Sequence, residues 1–379
     1  MKFPRLLVAA SIAAVIVSPI AASSQVSASD PQFTMIDSLG GHFNSAQVAT
    51  CGIDTAGVAW CWGDNFFGQL GNGTTDDSAN PVQVSPNSAS GFANTAVTDI
   101  SVGNTSACAI EGGSVYCWGY NSAGQLGDGT TDNSSIPVKV SANGSFTNLG
   151  IAQVSVGSMS ACALNSSGVA YCWGTNSYGR LGSGVNPSTT AQSSVPVMVA
   201  DGGGFVNGAI SKIELGYLSA CLLRDLGAGD QKVYCWGSRS DGQVGGAPTY
   251  SSSSFYTLPT LVPTGGDLVN TDVTDFSVGE AHACVVEDGS VICWGGYAGG
   301  TNPVSSPAWP PVTVAAAGGF NNTNVTAVAA GALVTCATEG GAVYCWGSDA
   351  NRGGGDPAPG RHWRCEGCGN SRIPKRSGH

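Results

Sequence analysis

The stretch GNTSACAIEGGSVYCWGYNSAGQLG, from Gly103 to Gly127, contains most of the signals that decide the fold of this chain. Its Cys-Trp-Gly tripeptide occurs six times along the sequence. The six tryptophans are Trp62, Trp118, Trp173, Trp236, Trp294 and Trp346. They lie 56, 55, 63, 58 and 52 residues apart. Recurrence at this period indicates an array of repeated supersecondary units.

Each unit predicts four short strands. In the second unit we place them at 97–102, 107–111, 114–118 and 137–140, with Pro137 opening the last strand at an edge position. Four strands in 50–60 residues, repeated radially, are typical of a propeller blade. A β-solenoid is the alternative, although its coils are usually much shorter. We therefore expect an all-β propeller of six to seven four-stranded blades, with the last blade incomplete because the sixth unit stops after its third strand.

The composition agrees with this prediction and limits the domain count. The chain has 379 residues, of which 56 are Gly and only 10% are charged. So much Gly excludes a mainly helical protein, and its irregular spacing excludes collagen. We expect one propeller domain with six repeat units over residues 29–350.

The first 28 residues are predicted to be a signal peptide. Lys2 and Arg5 precede an apolar run from Leu6 to Ala22, and small residues near Ala28 suit cleavage. An uncleaved anchor is the alternative, but the run is short for a bilayer span. We expect a secreted, extracellular or cell-envelope protein with no membrane span in the mature chain.

Charge is distributed unevenly along the chain. Residues 29–350 contain 23 acidic and 6 basic side chains, which argues against nucleic acid as a partner. Residues 351–379 form an atypical basic tail with 6 basic and 2 acidic groups. Its Cys365 and Cys368 fit half of a zinc knuckle or a redox pair. A disordered or out-of-frame end explains the sudden change of composition equally well.

Twelve cysteines are predicted to form six disulfides, each inside one hairpin. The pairs are Cys51–Cys61, Cys108–Cys117, Cys162–Cys172, Cys221–Cys235, Cys284–Cys293 and Cys336–Cys345. If Cys108 faces Cys117, the connecting loop is Gly112-Gly113, a dipeptide that two-residue hairpin turns require. An export signal allows oxidation. Buried thiols are the alternative, and the wide spacing argues against zinc.

No catalytic motif is apparent, and we expect neither an enzyme nor a cofactor or metal. His282 lies at a repeat position and is interpreted as structural. The acidic turns at Asp76–Asp77 and Asp128–Asp132 could bind calcium, but tight turns need such residues anyway. The six tryptophans are interpreted as core residues on an inner strand. A polysaccharide-acting enzyme would need carboxylates that converge from different blades.

The phrase Cys-Trp-Gly-x-Asn-x-x-Gly-Gln-Leu-Gly, preceded by Gly-x4-Cys-Ala, resembles the regulator of chromosome condensation repeat over about residues 33–350. The resemblance implies a propeller, usually of seven blades. Its precedents include a nuclear guanine-nucleotide exchange factor and a secreted bacterial propeller that inhibits β-lactamases through its loops. The export signal and acidic body favour the secreted type over the exchange factor.

We therefore expect an interaction module that presents its loops to an unidentified protein. A module that binds a surface glycan is the alternative. Four aromatic residues follow Cys-Trp-Gly in three units and are the candidate contacts: Phe66, Phe67, Tyr120 and Tyr178.

Overall fold

A computed structural model of the protein describes residues 31–38, 48–227, 229–246, 255–296, 308–316, 319–332, 334–347 and 363–364. The predicted signal peptide and most of the basic tail, including Cys365 and Cys368, lie outside these residues. The described part contains no helix long and apolar enough to span a lipid bilayer.

In the described part of the chain, twenty-four strands form six antiparallel four-stranded sheets, which are the blades, and within each sheet the strands pair in sequence order. Blade 1 contains β1 (Phe33–Asp37), β2 (Ala49–Asp54), β3 (Ala59–Gly63) and β4 (Ser78–Gln83). Blade 2 contains β5 (Val97–Val102), β6 (Ser106–Glu111), β7 (Ser114–Gly119) and β8 (Ser134–Lys139). Blade 3 contains β9 (Ile151–Val156), β10 (Ser160–Asn165), β11 (Ala170–Thr175) and β12 (Gln192–Met198). Blade 4 contains β13 (Ile210–Leu215), β14 (Ser219–Asp225), β15 (Gln231–Ser238) and β16 (Phe255–Leu261). Blade 5 contains β17 (Val273–Val278), β18 (His282–Glu287), β19 (Ser290–Gly295) and β20 (Ala308–Thr313). Blade 6 contains β21 (Val325–Ala330), β22 (Val334–Glu339), β23 (Ala342–Gly347) and β24 (Trp363–Arg364).

The first strand of each blade lines the centre of the array, because the first strands of consecutive blades pack on one another. Polar side chains on these strands connect neighbouring blades. The Asp99 carboxylate accepts the N–H of Val154 at 2.8 Å, and the Ser101 hydroxyl accepts that of Val156 at 3.0 Å. Backbone groups that the sheets leave unpaired are thus satisfied by side chains of the preceding blade.

The hydrophobic core lies between blades. One face of blade 1, with Cys51 and Cys61, packs against Tyr116 and Trp118 of blade 2. The same pairing of a cysteine face with a tryptophan face recurs along the array as far as blades 5 and 6. Because strand side chains alternate between faces, each blade offers one face of each type.

Two details of the sequence-based prediction are corrected. Pro137 does not open the fourth strand: β8 begins at Ser134, and the proline lies within it where the register with β7 shifts. Proline is tolerated there because the strand is at an edge and irregular. The prediction for the tryptophan is confirmed, since Trp118 lies on β7, which has a strand on both sides in its sheet.

The sixth blade does not stop at its third strand. The two residues Trp363–Arg364 pair with Tyr344 and Cys345 as a fourth strand. The fourth strands of the other blades have six or seven residues, so this outer strand is much shorter.

Candidate functional site

The loops after the third strand of blades 1 and 2 carry most of the predicted contact residues. In blade 1 the buried Asn65 organises this loop. Its Nδ2 donates to the carbonyl oxygens of Thr74 and Asp76 at 3.2 and 2.9 Å, and its Oδ1 accepts the N–H of Leu70 at 2.8 Å. The Asp77 carboxylate accepts the N–H of Asn65 at 2.8 Å. The exposed loop is therefore fixed by hydrogen bonds to the buried Asn65 side chain.

Asn121 organises the corresponding loop of blade 2. Its Nδ2 donates to Asp128 Oδ1 at 3.3 Å and to the carbonyl of Asp132 at 3.0 Å. The Asn121 amide thus joins two oxygens that lie on opposite sides of the acidic turn. No cluster of three or more potential metal-ligating side chains exists in the part of the chain that the structure describes. The turn interpretation of the acidic loops accounts for this geometry.

The Gly-Gln-Leu-Gly phrase anchors each loop to the following blade. Trp118 Nε1 donates to the carbonyl of Gln69 at 2.9 Å, and Trp173 and Trp236 repeat this bond to Gln125 and Arg180. A Cβ on Gly71 would lie 2.7 Å from Trp118 Nε1, so glycine is required for the close approach. The loops are consequently positioned by a rigid interface.

Three of the four predicted contact residues form one surface. The Phe66 and Phe67 ring centroids are 4.8 Å apart, and those of Phe67 and Tyr120 are 4.5 Å apart. We call Phe66, Phe67 and Tyr120 the aromatic patch. Phe66 is 67% exposed, more than any other large hydrophobic residue described. It borders a shallow depression lined by Asp64, Thr75, Asp76 and Asp77.

Tyr178 lies in blade 3, in a short 3-10 turn at Ser177–Gly179. Its φ of 62° is unusual for a residue with a side chain. Among the described residues, no ring contact joins it to the aromatic patch. Tyr178 therefore lies on the same face of the array as the aromatic patch, but it is not part of that patch.

Phe66 is not required by the repeat. In the aligned loops its position is taken by Ser122, Ser177 and Ser240. All four loops nevertheless share the turn that contains this position, in which the N–H of the following glycine donates to the carbonyl three residues earlier. Exposing a large apolar side chain gives no folding stability, since such a side chain gains free energy only when it is buried. A role in binding explains the residue better than a role in packing.

The centre of the array carries a second group of polar residues. Burial raises the pKa of Asp37 to about 6 and that of Asp99 to about 7, with the charge of Asp37 adding to the effect on Asp99. Lys212 Nζ lies 2.7 Å from Asp275 and 3.2 Å from Glu214. Although burial acts to lower it, these two carboxylates raise the pKa of Lys212 to about 12.

These central carboxylates connect blades. Asp37, Glu214 and Asp275 each accept a backbone N–H from the next blade, as Asp99 does. Perturbed carboxylates can mark an active site, but structural networks perturb pKa values as well. The hydrogen bonds observed here account for all four residues.

His282 is structural in its setting. It is fully buried between blades 5 and 6, and its Nε2 lies 2.7 Å from Thr335 Oγ1. Burial lowers its pKa to about 4, so the ring is neutral at physiological pH. The strand register places Val334 at the position of blade 6 that is equivalent to His282.

All six predicted disulfides are present. They are Cys51–Cys61, Cys108–Cys117, Cys162–Cys172, Cys221–Cys235, Cys284–Cys293 and Cys336–Cys345. Each joins directly facing residues of strands two and three, as the hairpin argument requires. Their Cα atoms are 4.0–4.1 Å apart, closer than the roughly 4.5–5.5 Å of ordinary facing pairs.

Sequence reasoning missed an asparagine that joins the third and fourth strands of each of the first five blades, and that is buried in all of them except blade 3, where it is half-buried. These residues are Asn94, Asn148, Asn207, Asn270 and Asn322. Asn148 accepts the N–H of Val115 and donates to the carbonyls of Val115 and Val140. The signal was a recurrent Phe-x-Asn, as in Phe146-Thr147-Asn148.

Comparison with known proteins agrees with this architecture. The human E3 ubiquitin-protein ligase HERC2 is 30% identical over 200 residues, which are 52% of this chain and 4% of HERC2. The Arabidopsis thaliana ultraviolet-B receptor UVR8 is 28% identical over 276 residues, which are 70% of this chain and 56% of the receptor. The chain thus spans a small part of HERC2 and about half of UVR8.

Two solved structures share the fold. Prp20p from Saccharomyces cerevisiae superimposes with a TM-score of 0.65 at 20% identity, covering 85% of this chain and 76% of Prp20p. Human WBSCR16 gives a TM-score of 0.58 at 20% identity, covering 75% and 68%. Residues 56–110, 112–164 and 230–286 match the family model of the regulator of chromosome condensation (RCC1) repeat, and residues 151–180 match a second model of that repeat. The chain therefore belongs to the RCC1-repeat family of β-propellers.

Proposed function

We propose that this protein is a secreted or cell-envelope interaction module that binds a protein partner through the aromatic patch. The observation that carries the proposal is Phe66, which is 67% exposed at a position where the other aligned loops have serine. Aromatic anchors of this kind supply much of the binding energy in protein interfaces. The buried Asn65 and the Gln69–Trp118 bond support a preorganised surface, which lowers the entropic cost of binding.

The extracellular assignment rests on the six disulfides, because such bonds persist in oxidising compartments. The predicted signal peptide agrees with it. Prp20p is described by its binding to Gsp1p and histones, which is a precedent for protein binding by this fold and not for those partners. We assign binding rather than catalysis, since the central carboxylates are already engaged between blades.

The test is affinity capture from the native culture fluid with the mature chain and with Phe66→Ala. Loss of one central aromatic anchor costs about 2 kcal/mol or more, so capture of a genuine partner should weaken at least tenfold. Thermal unfolding should not change, because the side chain is exposed. Trp118→Ala should instead lose about 3–5 kcal/mol of folding stability.

Val269→Ala is the matched control. Val269 is 62% exposed, but it lies in the connection between blades 4 and 5, on the opposite face. A captured protein that survives Phe66→Ala and Phe67→Ala but is lost with Val269→Ala would contradict the proposal.

A further inference from the structure

The surroundings of the aromatic patch are acidic. In residues 33–140, which form blades 1 and 2, the sequence has nine acidic side chains and one basic one, Lys139. Lys139 is at the far end of β8, where its Nζ lies 5.8 Å from the centre of the Tyr116 ring. No positive charge of these two blades therefore lies beside Phe66.

Two of the acidic side chains next to Phe66 are held in place by hydrogen bonds. The Asp64 carboxylate accepts from Gln69 Nε2 at 2.6 Å, and the Asp77 carboxylate accepts the N–H of Asn65 at 2.8 Å. Asp76 and Asp77 are exposed on the rim of the depression. Each carboxylate keeps a free oxygen or an exposed edge for a further donor.

We propose, on the basis of the function proposed above, that the aromatic patch binds a cationic protein segment in which a Lys or Arg side chain lies beside an apolar one. The apolar side chain packs on Phe66 and Phe67, and the cation reaches Asp76 and Asp77. An apolar centre with a charged rim is the usual anatomy of a protein interface. Complementary charge at such a rim sets specificity and the rate of association.

Blade 2 provides an internal control, since its loop has the same turn sequence without the phenylalanines. Phe66 and Phe67 correspond to Ser122 and Ala123, while Asp76 corresponds to Asp132. Asp77 corresponds to Asn133, which accepts the N–H of Asn121 in the same way. Asp77→Asn should therefore preserve the loop. Asp128→Asn should do so too, because blade 1 has Asn72 there.

The experiment uses three pools of labelled nonapeptides with matched apolar content and net charges of +3, 0 and −3. Each pool is titrated with the mature chain by fluorescence anisotropy at low and high salt. The +3 pool should bind best, and raising the salt should weaken it. Asp76→Asn with Asp77→Asn should reduce its affinity about fivefold, the scale of two exposed ion pairs. Phe66→Ala should reduce it at least tenfold.

Asp128→Asn with Asp132→Asn removes the same charge from blade 2 and should leave affinity within twofold. Equal losses from the two double variants would show attraction by net charge alone and would overturn the inference. Equal binding of all three pools would also overturn it, while leaving protein binding by Phe66 intact. Binding of a neutral oligosaccharide that depends on Phe66 would overturn both proposals.

Discussion

Phe66 and Trp118 are both large aromatic residues near a Cys-Trp-Gly phrase, yet one is 67% exposed and the other is fully buried. The difference follows from the neighbouring blade. The tryptophan position is covered by the preceding blade's Gly-Gln-Leu-Gly phrase, whereas most of the Phe66 side chain faces solvent. Residue type alone does not separate the two roles, but alignment of the repeats does. The Phe66 position has serine in the other aligned loops, whereas the Trp118 position has tryptophan in all six units.

Asp99 gives a prediction about pH at the scale of a single residue. Its pKa is raised from 3.8 to about 7 by burial and by Asp37. A raised folded-state pKa means that its stabilising contribution is complete below pH 4 and is lost as pH rises through 7. Asp99→Asn keeps an oxygen to accept the N–H of Val154. We expect this variant to be more stable than the parent by about 1–3 kcal/mol at pH 8.

The measurement is urea unfolding of both proteins at pH 4 and pH 8 with the disulfides intact. The difference between them should nearly vanish at pH 4, where Asp99 is protonated in the parent. A variant that is less stable than the parent at pH 8 would show that the ionised carboxylate stabilises the centre of the array.

At the scale of the strand and hairpin, one asparagine joins the start of the third strand to the end of the fourth in each of the first five blades. Asn148 is 2% exposed and lies at a φ of 51°, a conformation that asparagine tolerates better than most residues. Its amide satisfies three backbone groups that connect β7 and β8 to the next loop. Asn148 thus combines a rare backbone conformation with an amide that makes three hydrogen bonds to the backbone.

Asn148→Ala should therefore destabilise the protein by about 3 kcal/mol or more, because three buried backbone groups lose their partner. Chemical unfolding under oxidising conditions measures the loss. Thr147→Ala, at the exposed neighbouring residue, should change stability by no more than about 0.5 kcal/mol. Similar effects of the two substitutions would mean that the hydrogen bonds of Asn148 between the third and fourth strands do not stabilise the blade.

Hairpins were predictable from the sequence because their determinants are local. The pair Cys108 and Cys117 fixes the loop at Gly112-Gly113, and both glycines have positive φ as that turn requires. The position of Pro137 was not predictable, since a shift of register depends on contacts with β7. The central carboxylates were also missed, because only the ring arrangement brings residues about 55 positions apart together.

At the scale of the whole molecule, the hydrogen bonds between first strands all run in the same direction along the array. From blade 1 to blade 5, a polar side chain of each first strand accepts an N–H from the next blade. Blade 6 has Ala327 and Ala329 at the two positions concerned, so it lacks these acceptors. The series of first-strand acceptors therefore runs from blade 1 to blade 5.

The ends of the series are less buried than its middle. Trp62 is half-buried, whereas the five other tryptophans of the repeat are at most 1% exposed. At the other end Cys345 is half-buried, whereas the other disulfide cysteines are at most 3% exposed. A face that no full blade covers is accessible to solvent and reagents, and terminal units of repeat arrays open more readily than internal ones.

Limited reduction of the folded protein should therefore open Cys336–Cys345 before the other disulfides. Thiol exchange requires access to sulfur, and Cys345 is the accessible member of the twelve. A small molar amount of phosphine under native conditions, followed by alkylation and peptide mapping, should label Cys336 and Cys345 at least fivefold faster than Cys162 and Cys172 of blade 3. Equal labelling of the two pairs would show that blade 6 is as well covered as blade 3, and that the array closes through contacts other than those between its internal blades.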